Sequence, residues 1–172
     1  AWADNEEAFK KIMFNDNQNE FATVSYSIID ENNEPKNIYG AKDEEGKINI
    51  NTVSKEVFVA FLEKFEINPA QDVANNILIW RGDIPDEQKI YENLGYSCKS
   101  DKFSNIEELA LVKDILPVSL NKMKDILTTY GSGSININTA SFEALSVFAA
   151  GIAKKLSVEE SFADSIVTKI IE

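Results

Sequence analysis

The spacing of apolar residues changes period along this chain, and each change marks a new element. The opening stretch "AWADNEEAFKKIMFND" offers Trp2, Ala8, Ile12 and Met13 to one side of a helix, predicting an α-helix over 2–14 that stops at Asn15-Asp16-Asn17. "EFATVSYSIID" (20–30) then alternates and is rich in β-branched and aromatic residues, which predicts a strand. "ENNEP" (31–35) reads as a turn, "KNIYGA" (36–41) as the hairpin partner, and "KDEEG" (42–46) as a charged connector. Ile48 and Ile50 next alternate with Asn49 and Asn51, and Asn51 is placed to cap a helix. Phe58, Phe61, Leu62 and Phe65 follow at i, i+3, i+4, i+7, one buried helical face. "EINPAQ" breaks it, Pro69 suits the first turn of a second helix, and Val73, Ala74, Ile77 and Leu78 give that helix an apolar side ending near Trp80 and Gly82.

This pattern is then written again. "GKININTVS" from Gly46 and "GSININTAS" from Gly133 share seven of nine residues. Leu145, Phe148, Ala149 and Ile152 fall where the first copy has Phe58, Phe61, Leu62 and Phe65. After a loop two residues longer, Phe162, Ala163, Ile166, Val167 and Ile170 make a second face, with Ile135 and Ile137 extended and Asn138 at the cap. Between the copies, "PDEQKIYENLG", "SNIEELALVKDI" and "SLNKMKDILTTYG" read as three helices, the middle one opened by a capping box of Ser104 and Glu107. The prediction is an α+β chain in four parts: a helix and β-hairpin (1–45), a first helix-hairpin-helix module (46–83), a helical insert (84–130) and a second module (131–172).

Charge narrows the function classes. The net charge is −12 over 172 residues, and residues 1–45 alone carry four Lys/Arg against eleven Asp/Glu. A nucleic-acid partner needs cations against phosphates, so this balance argues against one. The absence of histidine excludes imidazole metal ligands and His-based triads, and the single cysteine, Cys98, excludes an intrachain disulfide. No apolar run approaches the ~20 residues that span a bilayer. The helical pattern at Ala1 nevertheless starts without a cap, as though a preceding segment belonged to it.

The repeated asparagines have a structural reading first: they satisfy backbone donors at a helix start, each stabilising by about 0.5–2 kcal/mol relative to Ala. The second reading is a phosphate-binding helix-hairpin-helix, because competence-type DNA-binding repeats carry a similar Ile-Asn-x-Asn-Thr-Ala phrase. Here, however, the first hairpin "EKFEINPAQ" has no glycine and two Glu, and the second places Glu159-Glu160 beside Lys154-Lys155. Adjacent pairs such as Glu107-Glu108 point about 100° apart on a helix and do not flank one substrate atom, so catalysis is not expected. Cys98 reads as a half-buried structural thiol, and Tyr130-Gly131-Ser132-Gly133 as a linker.

Taken in order, "DEEGKININT", "WRGD", "IYENLGYSCKSDKFSNIEELALVKDI" and "LTTYGSGSININTA" resemble the minor pseudopilin K family of type II secretion systems over nearly the whole chain. The matching residues are Gly46, Asn49, Asn51, Trp80, Asp83, Tyr91, Phe103, Ile106, Glu108, Leu109, Val112, Asn136, Asn138, Thr139 and Ala140, and Thr52 belongs with them to the structural motif. The resemblance implies a pseudopilin fold, an N-terminal helix plus a small antiparallel sheet, carrying a mostly helical inserted domain with two helix-hairpin-helix (SAM-like) modules. It implies a non-enzymatic subunit on the periplasmic side of an inner membrane, anchored through a segment preceding Ala1. It implies two sister minor pseudopilins as partners at the pseudopilus tip, bound along the N-terminal helix and sheet edge. The family's last strands find no counterpart here, leaving "EFATVSYSII" an expected edge. It also implies calcium held by oxygen ligands, for which Asp83, Asp86, Glu87 and Asp101 are the candidates, with "DEEG" (43–46) a second loop; bound calcium would raise the melting temperature.

Overall fold

The structure, a computed structural model, describes residues 6–13, 21–29, 34–85 and 87–171. The chain divides into two compact units, 1–43 and 44–172.

In the first unit, helix α1 spans Glu6–Lys10, and strand β1 (Ile12–Met13) pairs antiparallel with β2 (Phe21–Ala22). The sequence predicted helix through Met13. Ile12 and Met13 leave the helix because Phe21 and Ala22 supply an antiparallel partner. They go instead to opposite faces of a strand, in register with Ala22 and Phe21. Trp2 and the turn residues 31–33 lie outside the described residues. The predicted strand over 20–30 is interrupted at Thr23 and Val24, where Thr23 Oγ1 donates to the Lys10 carbonyl (2.9 Å) and the Val24 amide to the Phe9 carbonyl (3.0 Å). Beyond the break, β3 (Ser25–Ile29) and β4 (Pro35–Tyr39) form the expected hairpin, in register from Ser25↔Tyr39 to Ile29↔Pro35.

The second unit is mainly helical. A 3-10 turn at Glu44–Gly46 leads to β5 (Ile48–Asn49), then α2 (Lys55–Lys64) and α3 (Ala70–Arg81). Gly82 ends α3 in the left-handed region (φ 87°), with its own amide and that of Asp83 closing onto the Ile79 and Leu78 carbonyls. The predicted helix over "PDEQKIYENLG" is reduced to α4 (Lys89–Glu92), and "SNIEELALVKDI" forms a 3-10 helix at Ile106–Leu111 rather than an α-helix. The third insert helix, predicted to run to Gly131, is α5 (Pro117–Met123) with a 3-10 turn at Lys124–Ile126. Its β-branched end turns into a strand, β6 (Leu127–Thr128), because Ile48 and Asn49 supply a parallel partner. Helices α6 (Phe142–Leu156) and α7 (Glu160–Ile171) close the described chain.

The core runs through α2, α3 and the insert, and its fully buried members include Ile48, Ile50, Leu62, Ile77, Tyr91, Leu109 and Met123. Each such aliphatic side chain contributes roughly 1.5–3 kcal/mol by leaving water. Helices α2 and α6 meet across the duplication, and Gly151 makes the approach possible: a Cβ there would lie 2.5 Å from Val57 Cα. The Lys154–Glu63 ion pair (2.9 Å) ties the same two helices. The predicted faces of the first copy are buried, with Phe65 partly so. In the second copy only Ala163 and Val167 of the α7 set are buried, while Phe162, Ile166 and Ile170 face solvent; the prediction assumed a covering layer that the described residues do not supply.

Candidate functional site

The repeated phrases meet inside the second unit, and their local structures agree. In the first, Asn49 Oδ1 accepts the Asn51 amide (2.9 Å), and the Asn49 carbonyl accepts the amides of Thr52 (3.1 Å) and Val53 (3.2 Å). In the second, Asn136 Oδ1 accepts the Asn138 amide (3.2 Å), and its carbonyl those of Thr139 (3.2 Å) and Ala140 (2.9 Å). Each is an Asx-type turn built by the first asparagine. It follows that neither Asn51 nor Asn138 caps a helix, as the sequence predicted. The turn takes up three residues first, and the N-cap positions belong to Ser54 and Ser141, the last shared residue of each phrase. Ser141 Oγ accepts the Ala144 amide (3.1 Å). Likewise, the cap of the insert helix sits one residue later than Ser104: Asn105 Oδ1 accepts the Glu108 amide (3.1 Å), while Glu108 Oε1 reaches past the cap to accept the Ser104 amide (3.1 Å).

Each phrase also seats the other. A Cβ on Gly46 would lie 2.8 Å from the Thr139 carbonyl oxygen, and one on Gly133 (φ +92°) would lie 2.3 Å from Thr52 Oγ1. The leading glycine of each copy is thus the space filled by the closing threonine of the other. This reciprocity explains why both glycines and both threonines are in the phrase. The Asn136 amide reaches across to the Glu45 carbonyl (2.7 Å).

Beyond this clasp the copies part. Asn49 is buried and donates through Nδ2 to the carbonyls of Tyr130 (2.9 Å) and Gly131 (3.1 Å). Asn51 exchanges two bonds with the backbone of Phe103, Nδ2 to its carbonyl (2.9 Å) and Oδ1 from its amide (2.7 Å). These bonds pin the insert onto the first phrase. Thr128 Oγ1 donates to Glu44 Oε2 (2.6 Å) in the 3-10 turn that precedes β5. Asn138 is exposed, and Ile137 lies in the turn half exposed (50%) where its counterpart Ile50 is buried (0%); the second phrase is not paired as a strand.

Arg81 was not singled out by sequence reasoning, although it stands inside "WRGD". Its Nη1 donates to the carbonyls of Ile50 (2.8 Å) and Val53 (3.0 Å), the guanidinium pairs with Asp83, and it lies 5.4 Å from the Phe58 ring centre. Trp80 is buried and meets the Tyr91 ring edge-on at 5.1 Å, while Tyr91 Oη donates to the Asn76 carbonyl (2.8 Å). Burial pushes the Tyr91 phenol well above its usual pKa. Glu108 holds Lys99 Nζ at 2.8 and 3.0 Å. Burial would raise its pKa, but the Lys99 and Ser104 hydrogen bonds outweigh it, and the carboxyl sits below its ordinary value.

The acidic residues named for calcium that the structure describes are Asp83, Glu87 and Asp101. Asp83 faces Arg81, Asp101 Oδ1 accepts the neighbouring Lys102 amide (2.7 Å), Glu87 is exposed, and Asp86 lies outside the described residues. Among the described residues no group of three or more His, Cys, Asp or Glu side chains is clustered to hold a metal ion. An open cleft of about 330 Å3 lies beside the clasp, lined by Glu44, Lys47, Glu107, Lys124, Asp125 and Tyr130 among others, with both charge signs mixed. No helix among the described residues is long and apolar enough to cross a membrane.

No protein-family profile and no curated protein matches the sequence. A solved structure does match: one chain of the GspK-GspI-GspJ complex from the type 2 secretion system of enterotoxigenic Escherichia coli, at a TM-score of 0.55 and 15% identity. The match covers 66% of this chain and 49% of that one, so the present chain corresponds to about half the length of its structural neighbour. At that identity the likeness speaks to fold: the chain is α+β, with helices and small antiparallel pairings in a pseudopilin-like arrangement.

Proposed function

We propose that this chain is part of a minor pseudopilin, a non-catalytic subunit that works by binding sister minor pseudopilins at the tip of a type II secretion pseudopilus. On this reading it lies on the periplasmic side of a bacterial inner membrane. The observation that carries the proposal is the fold likeness, over 66% of the chain, to a member of a complex built from three different chains. The ordered run of motifs from "DEEGKININT" to "LTTYGSGSININTA" supports it independently. The chemistry of the paired phrases supports it too, since Asn49, Asn51, Thr52 and Arg81 hold backbone of this chain and so serve as scaffold.

The test is co-expression of the full natural gene product with the other two minor pseudopilins of its own secretion system. A stable complex of all three chains on size-exclusion chromatography is expected. Failure of the three to associate would overturn the proposal. Salt-dependent shifting of duplex DNA by the protein would replace it with the phosphate-binding alternative.

A further inference from the structure

Most residues that the two phrases share do the same thing in both copies. Asn49 and Asn136 build the turns, Ser54 and Ser141 hold the N-cap positions, and the glycines and threonines form the reciprocal seats. Ile48 and Ile135 both pack on the core. The exceptions are Ile50-Asn51 and their counterparts Ile137-Asn138.

In the first copy this pair grips one residue of the insert. Ile50 is buried, Asn51 Oδ1 accepts the Phe103 amide (2.7 Å), and Asn51 Nδ2 donates to the Phe103 carbonyl (2.9 Å). Phe103 is buried in the same core as Ile50. Such a grip selects its occupant by chemistry. A carboxamide presents a donor and an acceptor side by side, and takes both from a group that presents the complement. The amide and carbonyl of one residue face the same way where the chain is extended. Inside a helix both are already bonded along the helix. Phe103 lies in no helix and precedes the 3-10 helix at Ile106–Leu111. The grip therefore holds an extended segment with an apolar side chain at the gripped residue.

The second copy presents the same pair uncovered. Asn136 fixes the Asn138 amide as Asn49 fixes that of Asn51, so the two carboxamides leave equivalent turns. Asn138 is exposed, and among the described residues nothing accepts from or donates to its carboxamide. Ile137 is 50% exposed, and Phe142, which opens α6, is 61% exposed. A free anion lacks the donor this carboxamide would take, and a helix has both groups bonded already.

We infer that Ile137 and Asn138 form a second grip of the same kind, which docks an extended segment of another polypeptide through the amide and carbonyl of one aromatic residue. The inference goes beyond the proposed function and does not depend on it, because it follows from the turn and its first-copy occupant. The probe is a synthetic peptide, "KSDKFSNIE", the sequence of residues 99–107 that supplies the occupant of the first grip. It is titrated into the whole 172-residue protein while the Asn138 carboxamide and Ile137 methyl signals are followed by NMR. Saturable shifts at both, with a Kd of roughly 1 mM, are expected of one bidentate contact and one apolar anchor. Methylating the nitrogen of the peptide's Phe removes the donor and is expected to weaken binding about fivefold or more. Asn138→Asp replaces the side-chain donor with a second acceptor and is expected to weaken binding as much, with an unchanged melting temperature. Asn121→Asp makes the same charge change at an exposed position on α5 and is expected to bind as wild type does. No saturable shift up to about 10 mM peptide overturns the inference. Binding that the N-methyl peptide and Asn138→Asp leave unaltered also overturns it. Shifts confined to Asn51 would mean that the probe displaces the chain's own segment, and overturn it as well. None of these readings depends on whether sister pseudopilins bind, so each proposal fails separately.

Discussion

The two copies of the Ile-Asn-Ile-Asn-Thr phrase have the same turn and opposite surroundings. Asn49 and Asn136 make matching Asx-type hydrogen bonds, and Ser54 and Ser141 occupy matching N-cap positions. Yet Ile50 is buried where Ile137 is half exposed, and Asn51 clamps Phe103 where Asn138 meets solvent. Local sequence determines the turn in both places. The insert, present over one copy and not the other, determines how much energy each residue carries.

The sharpest break in this comparison is at equivalent isoleucines. Ile77→Ala is expected to destabilise by about 2–5 kcal/mol, because a fully buried side chain leaves a cavity between α3 and the insert. Ile166→Ala, at 41% exposure, is expected to cost less than about 1 kcal/mol. Denaturant unfolding of both variants measures the difference. Equal losses would mean that α7 is covered as α3 is.

The next test separates the copies from each other. Gly151→Ala puts a methyl 2.5 Å from Val57 Cα, a backbone atom that cannot rotate away. Helices α2 and α6 must part, at a cost of roughly 1–3 kcal/mol after the ~1 kcal/mol that Ala gains over Gly in a helix. A raised melting temperature in this variant would contradict the close crossing.

Asparagines give a smaller contrast. Asn51→Ala strands the amide and carbonyl of Phe103 and is expected to cost about 1–3 kcal/mol, with faster amide exchange at Phe103. Asn138→Ala is expected to change stability by no more than about 0.5 kcal/mol. Similar losses at both sites would show that the phrases are equivalent in energy as well as in sequence.

Much of this fold could be read from periodicity, and its failures share one cause. The α2 and α3 faces, from Phe58 to Leu78, were evident because they repeat every three or four residues over long helices. Missed were features that depend on a distant partner. Leu127–Thr128 becomes a strand because Ile48–Asn49 lies alongside, and Ile12–Met13 because Phe21–Ala22 does. Asn51 looked like a cap because capping is local, while its actual partner is 52 residues away. The Gly46–Thr139 and Gly133–Thr52 seats were visible only as unexplained identity between the phrases. Arg81 gave one faint signal, a cation directly after a run of apolar helix positions.

The smallest effect concerns the insert itself, through the Lys99–Glu108 pair. The native carboxyl has a pKa below the ordinary 4.5, so the folded state binds this proton less readily than the unfolded chain. Its contribution to stability is therefore complete above the ordinary glutamate range and is lost as pH falls through the lower native value. Glu108→Gln should remove that part of the acid dependence and cost under about 1 kcal/mol at neutral pH. Because the pair sits in the segment that covers α3, hydrogen exchange should quicken in α3 in this variant while α7 stays unchanged. Equal quickening in both helices would show that the insert stabilises the whole unit rather than one copy, and the contrast between the two phrases would then lie in packing alone.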